Sequence, residues 1–167
     1  MLVTLILAYL LAPSEFGLDA MMAVCISIAN ADMDSGFKQA LIRKSDVSQT
    51  DLSTAFFSNI GLGVIAYTVL IAIAPIISNF YDEPRLLALV SVAGLVVVVS
   101  SFGTVQLAVL SRQLNFKAQL RASVPASIMS GLVAVVMAYA GAGVWSLVLQ
   151  PLVYSTLTTI ILWMQTL

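Results

Sequence analysis

Positive charge is scarce in this chain, so the places where it gathers are the first pointers to chemistry. Seven lysines and arginines occur in 167 residues. Arg112, Lys117 and Arg121 share the stretch VLSRQLNFKAQLRASV (109–124), and Arg43 is followed directly by Lys44. Guanidinium and ammonium groups hold phosphates and carboxylates through charge-assisted hydrogen bonds. Beside apolar segments, such clusters read in two ways. They fix which side of a membrane a loop occupies, or they hold an anionic lipid headgroup or substrate at the membrane surface.

The other candidates are polar groups inside apolar segments. Asp32 and Asp34 stand near the end of a long apolar stretch. An ionisable residue within a membrane segment points to ion or proton coupling, which makes Asp32 a coupling candidate. A solvated helix-end acid paired with Lys38 is the plainer reading. Asn30, Asn59 and Gln106, with Ser100, Ser101 and Thr104, either line a hydrophilic cavity or join helices by hydrogen bonds worth about 0.6–2 kcal/mol.

Much other chemistry is excluded. With no histidine there is no imidazole general acid–base catalysis, no His-bearing triad and none of the usual zinc sites. The single cysteine, Cys25, forms neither an internal disulfide nor a thiolate cage and reads as a small apolar residue within a helix. No glycine loop suited to cradling phosphates is present, and Asp82 and Glu83 sit in a turn where solvation accounts for them. The sequence therefore predicts no enzyme, no metal site and no cofactor. A net charge of -1 gives no field directed at nucleic acid.

The elements that position these residues follow from composition. The chain is 60% hydrophobic and 9% charged, with a mean hydropathy of +1.05. Soluble domains hold about 45–50% apolar and about 25% charged residues. A polytopic membrane protein is the class that fits. Only helices and closed barrels satisfy the backbone in lipid, and these apolar runs are too long for barrel strands of about 9–11 residues. The fold class predicted is all-α, a polytopic helical bundle forming a single transmembrane unit over 1–167. Its spans are a partial helix over 1–12 and helices over about 16–33, 52–78, 85–110, 122–140 and 144–164. The opening MLVTLILAYLLAPSEF reads as the tail of a membrane helix that begins upstream, so the chain reads as a fragment or a short gene product. Ser48 and Asp51 form a helix-start signal. Pro75 and Pro125 fall near predicted helix ends, and Pro151 inside the last span is expected to weaken its helix. Small residues, Gly61 with Gly63, Gly94, Gly103, and Ser127, Ser130 and Gly131, read as close-packing sites.

Sorting the connections by side gives an orientation. Lys38, Arg43, Lys44, Arg112, Lys117 and Arg121 lie in one set of alternate loops, and only Arg85 lies in the other. The positive-inside rule puts the first set in the cytoplasm. Tyr81, Tyr139 and Trp145 then fall near outer helix ends and Trp163 near an inner one, as an interfacial aromatic belt requires. The link 111–121, with Leu114 and Phe116 among its cations, reads as a short amphipathic piece lying along the membrane surface.

Four segments in order resemble a known family. LLAPSEFGLDAMMAV looks like the end of the first helix and the start of the second in bacterial oligosaccharide flippases. GFKQALIRKSDVSQTDLSTAFFSNIGLG, LSRQLNFKAQLRASV and GAGVWSLVLQPLV resemble later segments of that family with matching spacing. The resemblance is to the Wzx-type and teichuronic-acid-export-type polysaccharide flippases, in the superfamily that includes multidrug and toxin extruders. It implies a two-lobed bundle around a central cavity, of which this chain would be the N-terminal lobe. It also implies a multi-pass location in the bacterial inner membrane and an undecaprenyl-diphosphate-linked oligosaccharide as substrate. The partners implied are membrane lipids, a polysaccharide polymerase and glycosyltransferases. Substrate contacts carry over to Arg43, Lys44, Arg112, Lys117 and Arg121. Tyr9 departs from the pattern, standing where relatives often have arginine. Two other readings stay open. One is a non-transporting scaffold of a polysaccharide synthesis complex, and the other is a drug or cation exporter, which would place acids in its cavity.

Overall fold

The computed structural model describes residues 6–7, 9–34, 48–113 and 115–166, with side chains at all of these except 28–34, 49, 112 and 166. Most of the described residues are helical, with no strand among them. The five helices are α1 (Pro13–Asp34), α2 (Gln49–Phe80), α3 (Arg85–Arg112), α4 (Phe116–Tyr139) and α5 (Trp145–Thr166). A helical stretch containing Ile6, Leu7, Tyr9 and Leu10 precedes α1. The helices α2 to α5 are each long and apolar enough to cross a membrane. Helix α1 carries Glu15, Asp19, Asp32 and Asp34 and is not one of those four.

Local chemistry sets the helix boundaries. Pro13 opens α1, where a missing N–H costs nothing, and the Ala12 N–H donates back to Glu15 Oε2 at 3.2 Å. At α2 the predicted start signal is realised as a full capping box. The Asp51 N–H donates to Ser48 Oγ at 3.1 Å, and the Ser48 N–H donates to Asp51 Oδ2 at 3.0 Å. Helix α4 ends in a left-handed residue, Gly141 with φ 79°, and the next N–H, from Ala142, returns to the Met137 carbonyl at 3.0 Å. Asp82, with φ 54°, ends α2 in the same way, the Glu83 N–H reaching the Ser78 carbonyl at 3.0 Å.

The link between α3 and α4 differs from its predicted form. It is no separate surface piece. Helix α3 continues to Arg112, and α4 begins at Phe116 rather than near residue 122. The reason is Asn115, whose side chain accepts the Ala118 N–H at 3.2 Å and starts the new helix at once. Lys117 and Arg121 therefore ride on the first two turns of a membrane-capable helix. Pro75, Pro125 and Pro151 all lie inside helices that continue past them.

Helix α3 is the hub. It packs along α2 and α5 and also touches α1 and α4, while α4 pairs mainly with α5. The largest core cluster joins Leu18 and Met22 of α1, Leu70 and Ala74 of α2, Leu86, Leu89, Val90 and Ala93 of α3, and Val148 of α5. A second joins Leu7 and Leu11 to Ala134 and Ala138 of α4 and Leu147 of α5. Small residues let these helices approach. Ala122, Ala126, Ser130, Ala134 and Ala138 recur every four residues on α4 and are all buried. A Cβ on Gly94 would come within 2.6 Å of Leu70 Cδ2. Gly61 behaves differently from its predicted packing role, since nothing lies within 4 Å of where its Cβ would stand.

Candidate functional site

A groove whose walls mix hydroxyls and amides with apolar side chains runs between α3, α4 and α5. Its cavity of ≈ 440 Å³ is lined by Ser100 and Thr104 of α3, Gln119 and Ser123 of α4, and Tyr154, Ser155, Thr158 and Thr159 of α5, with Pro151 and Leu162 among the apolar walls. A second cavity of ≈ 380 Å³ shares Pro151 and Tyr154 with the first and adds Ser127, Ser130, Gln150, Phe16 and Asp19. Together they follow α5 from Leu147 to Leu162. At 1.5 Å per residue that is about 22 Å, against a hydrocarbon core of about 30 Å.

Helical spacing builds this surface. Gln119, Ser123, Ser127 and Ser130 succeed one another at steps of four, four and three, which is one face of α4. On α5, Gln150, Tyr154 and Thr158 do the same at steps of four. Pro151 adds to the polarity, because proline has no N–H for the Leu147 carbonyl one turn back.

Four of the hydroxyls here donate to backbone carbonyls. Ser100 Oγ donates to the Val97 carbonyl at 3.0 Å, Thr104 Oγ1 to that of Ser100 at 2.9 Å, and Ser130 Oγ to that of Ser127 at 3.1 Å. Thr159 Oγ1 reaches across to the Val99 carbonyl of α3 at 3.4 Å. A hydroxyl that donates in this way keeps its lone pairs for accepting. Thr158 Oγ1 is buried with no partner. Leaving a hydroxyl unpaired in an apolar setting costs about 2–7 kcal/mol on transfer scales. The groove thus offers hydroxyls and amides to a hydroxyl-rich molecule.

The residues singled out from sequence are distributed as follows. Asn59 is fully buried between α2 and α3, where its Nδ2 donates to the Ser101 carbonyl at 2.9 Å and its Oδ1 is unpartnered. Gln106 has its Oε1 buried without a partner. Neither lines the two cavities above. Lys117 and Arg121 are exposed at the start of α4, with Arg112 at the end of α3 just before them. Asn30 and Asp32 lie on the last turns of α1, and their side chains are outside the described residues, as are Arg43 and Lys44 altogether. Sequence reasoning passed over Asp19, a half-buried carboxylate facing Ser127, Ser130 and Gln150 across the second cavity. The signal was available, for it is an acid directly before the apolar run AMMAVCI (20–26). The stripe on α4 was equally available as a spacing.

Aromatic rings gather at the end of the bundle near the α3–α4 link. Phe56 makes edge contacts with Phe102 and Trp163, at centroid distances of 6.2 and 5.7 Å. Trp163 Nε1 donates to the Phe102 carbonyl at 3.2 Å. Phe80, Tyr81, Tyr139 and Trp145 are exposed at the opposite end.

Comparison with known proteins identifies relatives of the chain. A family model described as "Polysaccharide biosynthesis protein" matches residues 6–167. The teichuronic acid biosynthesis protein TuaB of Bacillus subtilis (strain 168) is 29% identical over 98 residues, 59% of this chain and 20% of that protein. The lipopolysaccharide biosynthesis protein WzxC of Escherichia coli (strain K12) is 26% identical over 111 residues, 66% of this chain and 23% of its own length. The succinoglycan biosynthesis transport protein ExoT of Rhizobium meliloti (strain 1021) is 24% identical over 145 residues, 87% of this chain and 29% of that one. The chain thus matches less than a third of the length of each of these relatives. No solved structure matches it. With four membrane-capable helices and a family match along nearly its whole length, the chain is a multi-pass protein of the bacterial inner membrane and belongs to the polysaccharide biosynthesis family of Wzx-type flippases.

Proposed function

We propose that this chain is the N-terminal lobe of a transporter that moves an undecaprenyl-diphosphate-linked oligosaccharide across the inner membrane for surface polysaccharide export. The observation that carries this reading is the groove, where hydroxyls and amides of α3, α4 and α5 interrupt the apolar walls of the bundle. A saccharide cannot cross hydrocarbon unaided, because each hydroxyl would lose water and gain nothing. The groove supplies replacement partners while the polyprenyl tail stays in lipid. Alternating access of two lobes around such a surface would move the headgroup from one face to the other. The work is binding and reorientation, with no bond made or broken.

In this reading Arg112, Lys117 and Arg121, with Arg43 and Lys44, hold the diphosphate at the cytoplasmic entrance. The exposure of Lys117 and Arg121 on the first turns of α4, close below Gln119 and Ser123, supports that role. A polymerase and glycosyltransferases would act before and after the transport step. Deleting the gene is expected to accumulate lipid-linked repeat units on the cytoplasmic face and to deplete surface polysaccharide. Normal surface polysaccharide in the deletion strain would count against the proposal.

A further inference from the structure

The two cavities are rich in hydroxyls and amides but nearly free of charge. Among the described residues that line them, Asp19 carries the only charged side chain. Its placement is set by helix geometry. Leu18 and Met22, one turn apart, face the core formed with α2 and α3. Phe16 and Asp19, three residues apart, face the other way, into the cavity with Ser127, Ser130, Gln150 and Tyr154. Among the described residues no hydrogen bond or ion pair reaches the Asp19 carboxylate. Arg85, the basic side chain at this end of the bundle, lines a different cavity beside Glu15 and Trp145.

A carboxylate accepts hydrogen bonds and cannot donate them when ionised. Held half-buried and without a counter-charge, it welcomes hydroxyl, amide N–H or ammonium groups and opposes other carboxylates. We infer that Asp19 sets the class of headgroup this groove accepts: saccharides that are uncharged or bear amino groups pass it, and saccharides that carry carboxylates are turned away. The inference rests on the flippase reading and adds a specificity to it. It also assigns the diphosphate a place outside the groove, at the basic α3–α4 end, because the groove has no cation to meet it.

The test is binding to the full-length protein, purified in detergent, of two radiolabelled undecaprenyl-diphosphate-linked trisaccharides. They differ only in whether the terminal sugar bears a hydroxymethyl group or a carboxylate. The neutral trisaccharide is expected to bind more tightly, on the order of tenfold. Asp19→Asn is expected to erase the difference and Asp19→Glu to keep it. Equal binding of both probes to the unmodified protein would overturn the specificity and leave the flippase reading standing. A preference that survives in Asp19→Asn would also overturn it. Retention of neither probe would overturn both.

Discussion

Gly103 of α3 lies so close to Thr159 of α5 that a β-carbon on the glycine would stand 2.9 Å from the threonine Oγ1. The same threonine reaches the Val99 carbonyl one turn away. These contacts fix the separation of the two helices that wall the polar groove. Gly103→Val is therefore expected to cost about 1–3 kcal/mol through overpacking and to lower the unfolding temperature in detergent. Gly61→Ala, where a β-carbon meets nothing within 4 Å, is expected to leave that temperature unchanged or slightly raised.

Asn59 holds α2 to α3 with one hydrogen bond, 2.9 Å from Nδ2 to the Ser101 carbonyl. Hydrogen bonds between membrane helices are worth about 0.6–2 kcal/mol. Asn59→Ala should show a loss of that size in a denaturant titration. Binding of a neutral lipid-linked saccharide should survive, because Asn59 does not line the groove. A selective loss of binding without loss of stability would move Asn59 into the site.

The capping box at Ser48 and Asp51 makes a local prediction. Ser48→Ala removes the acceptor of the Asp51 N–H and is expected to cost about 1 kcal/mol. Hydrogen exchange should speed up over the first turn of α2 and stay unchanged near Gly94 of α3. Uniform acceleration along α2 would show that the cap governs more than its own turn.

Orientation is testable with single cysteines placed in a Cys25→Ala background. A membrane-impermeant thiol reagent applied to intact cells is expected to modify Arg85→Cys and to spare Lys117→Cys until the membrane is opened. The opposite pattern would reverse the orientation and put the basic cluster on the outside.

How much of this was legible beforehand depends on the range of the interaction. Ser48 and Asp51 could be read because a capping box lies within four residues and its chemistry is local. The four membrane-capable helices could be read because they are apolar along their length, whereas the stretch over 16–33, expected as a span, forms a helix that is not one of the four. The 111–121 link was misjudged because a stretch mixing cations and apolar residues suits a surface helix as well as two helix ends. The asparagine cap at Asn115 decides between them. The groove was legible only in part, through Ser100 and Thr104, which line it; the rest was missed for a different reason. Ser123, Ser127, Ser155 and Thr158 are individually unremarkable in membrane helices, where such groups often bond to their own backbone. They become a surface only when α4 and α5 are set side by side. Asp19 escaped notice because it lies close to the start of its helix, where an acid is usually favourable to the dipole.

The central claim is that the face shared by α3, α4 and α5 is a hydrated path for a saccharide headgroup. Cysteines at Ser123, Ser127 and Ser155, compared with cysteines at Leu132 and Val136 on the exposed apolar face of α4, test it most directly. Reaction with a water-soluble methanethiosulfonate in membranes is the measurement. Fast modification is expected at the three serine positions, slowed by a neutral lipid-linked saccharide, with little modification at Leu132 and Val136. Equally slow reaction at all five positions would contradict it.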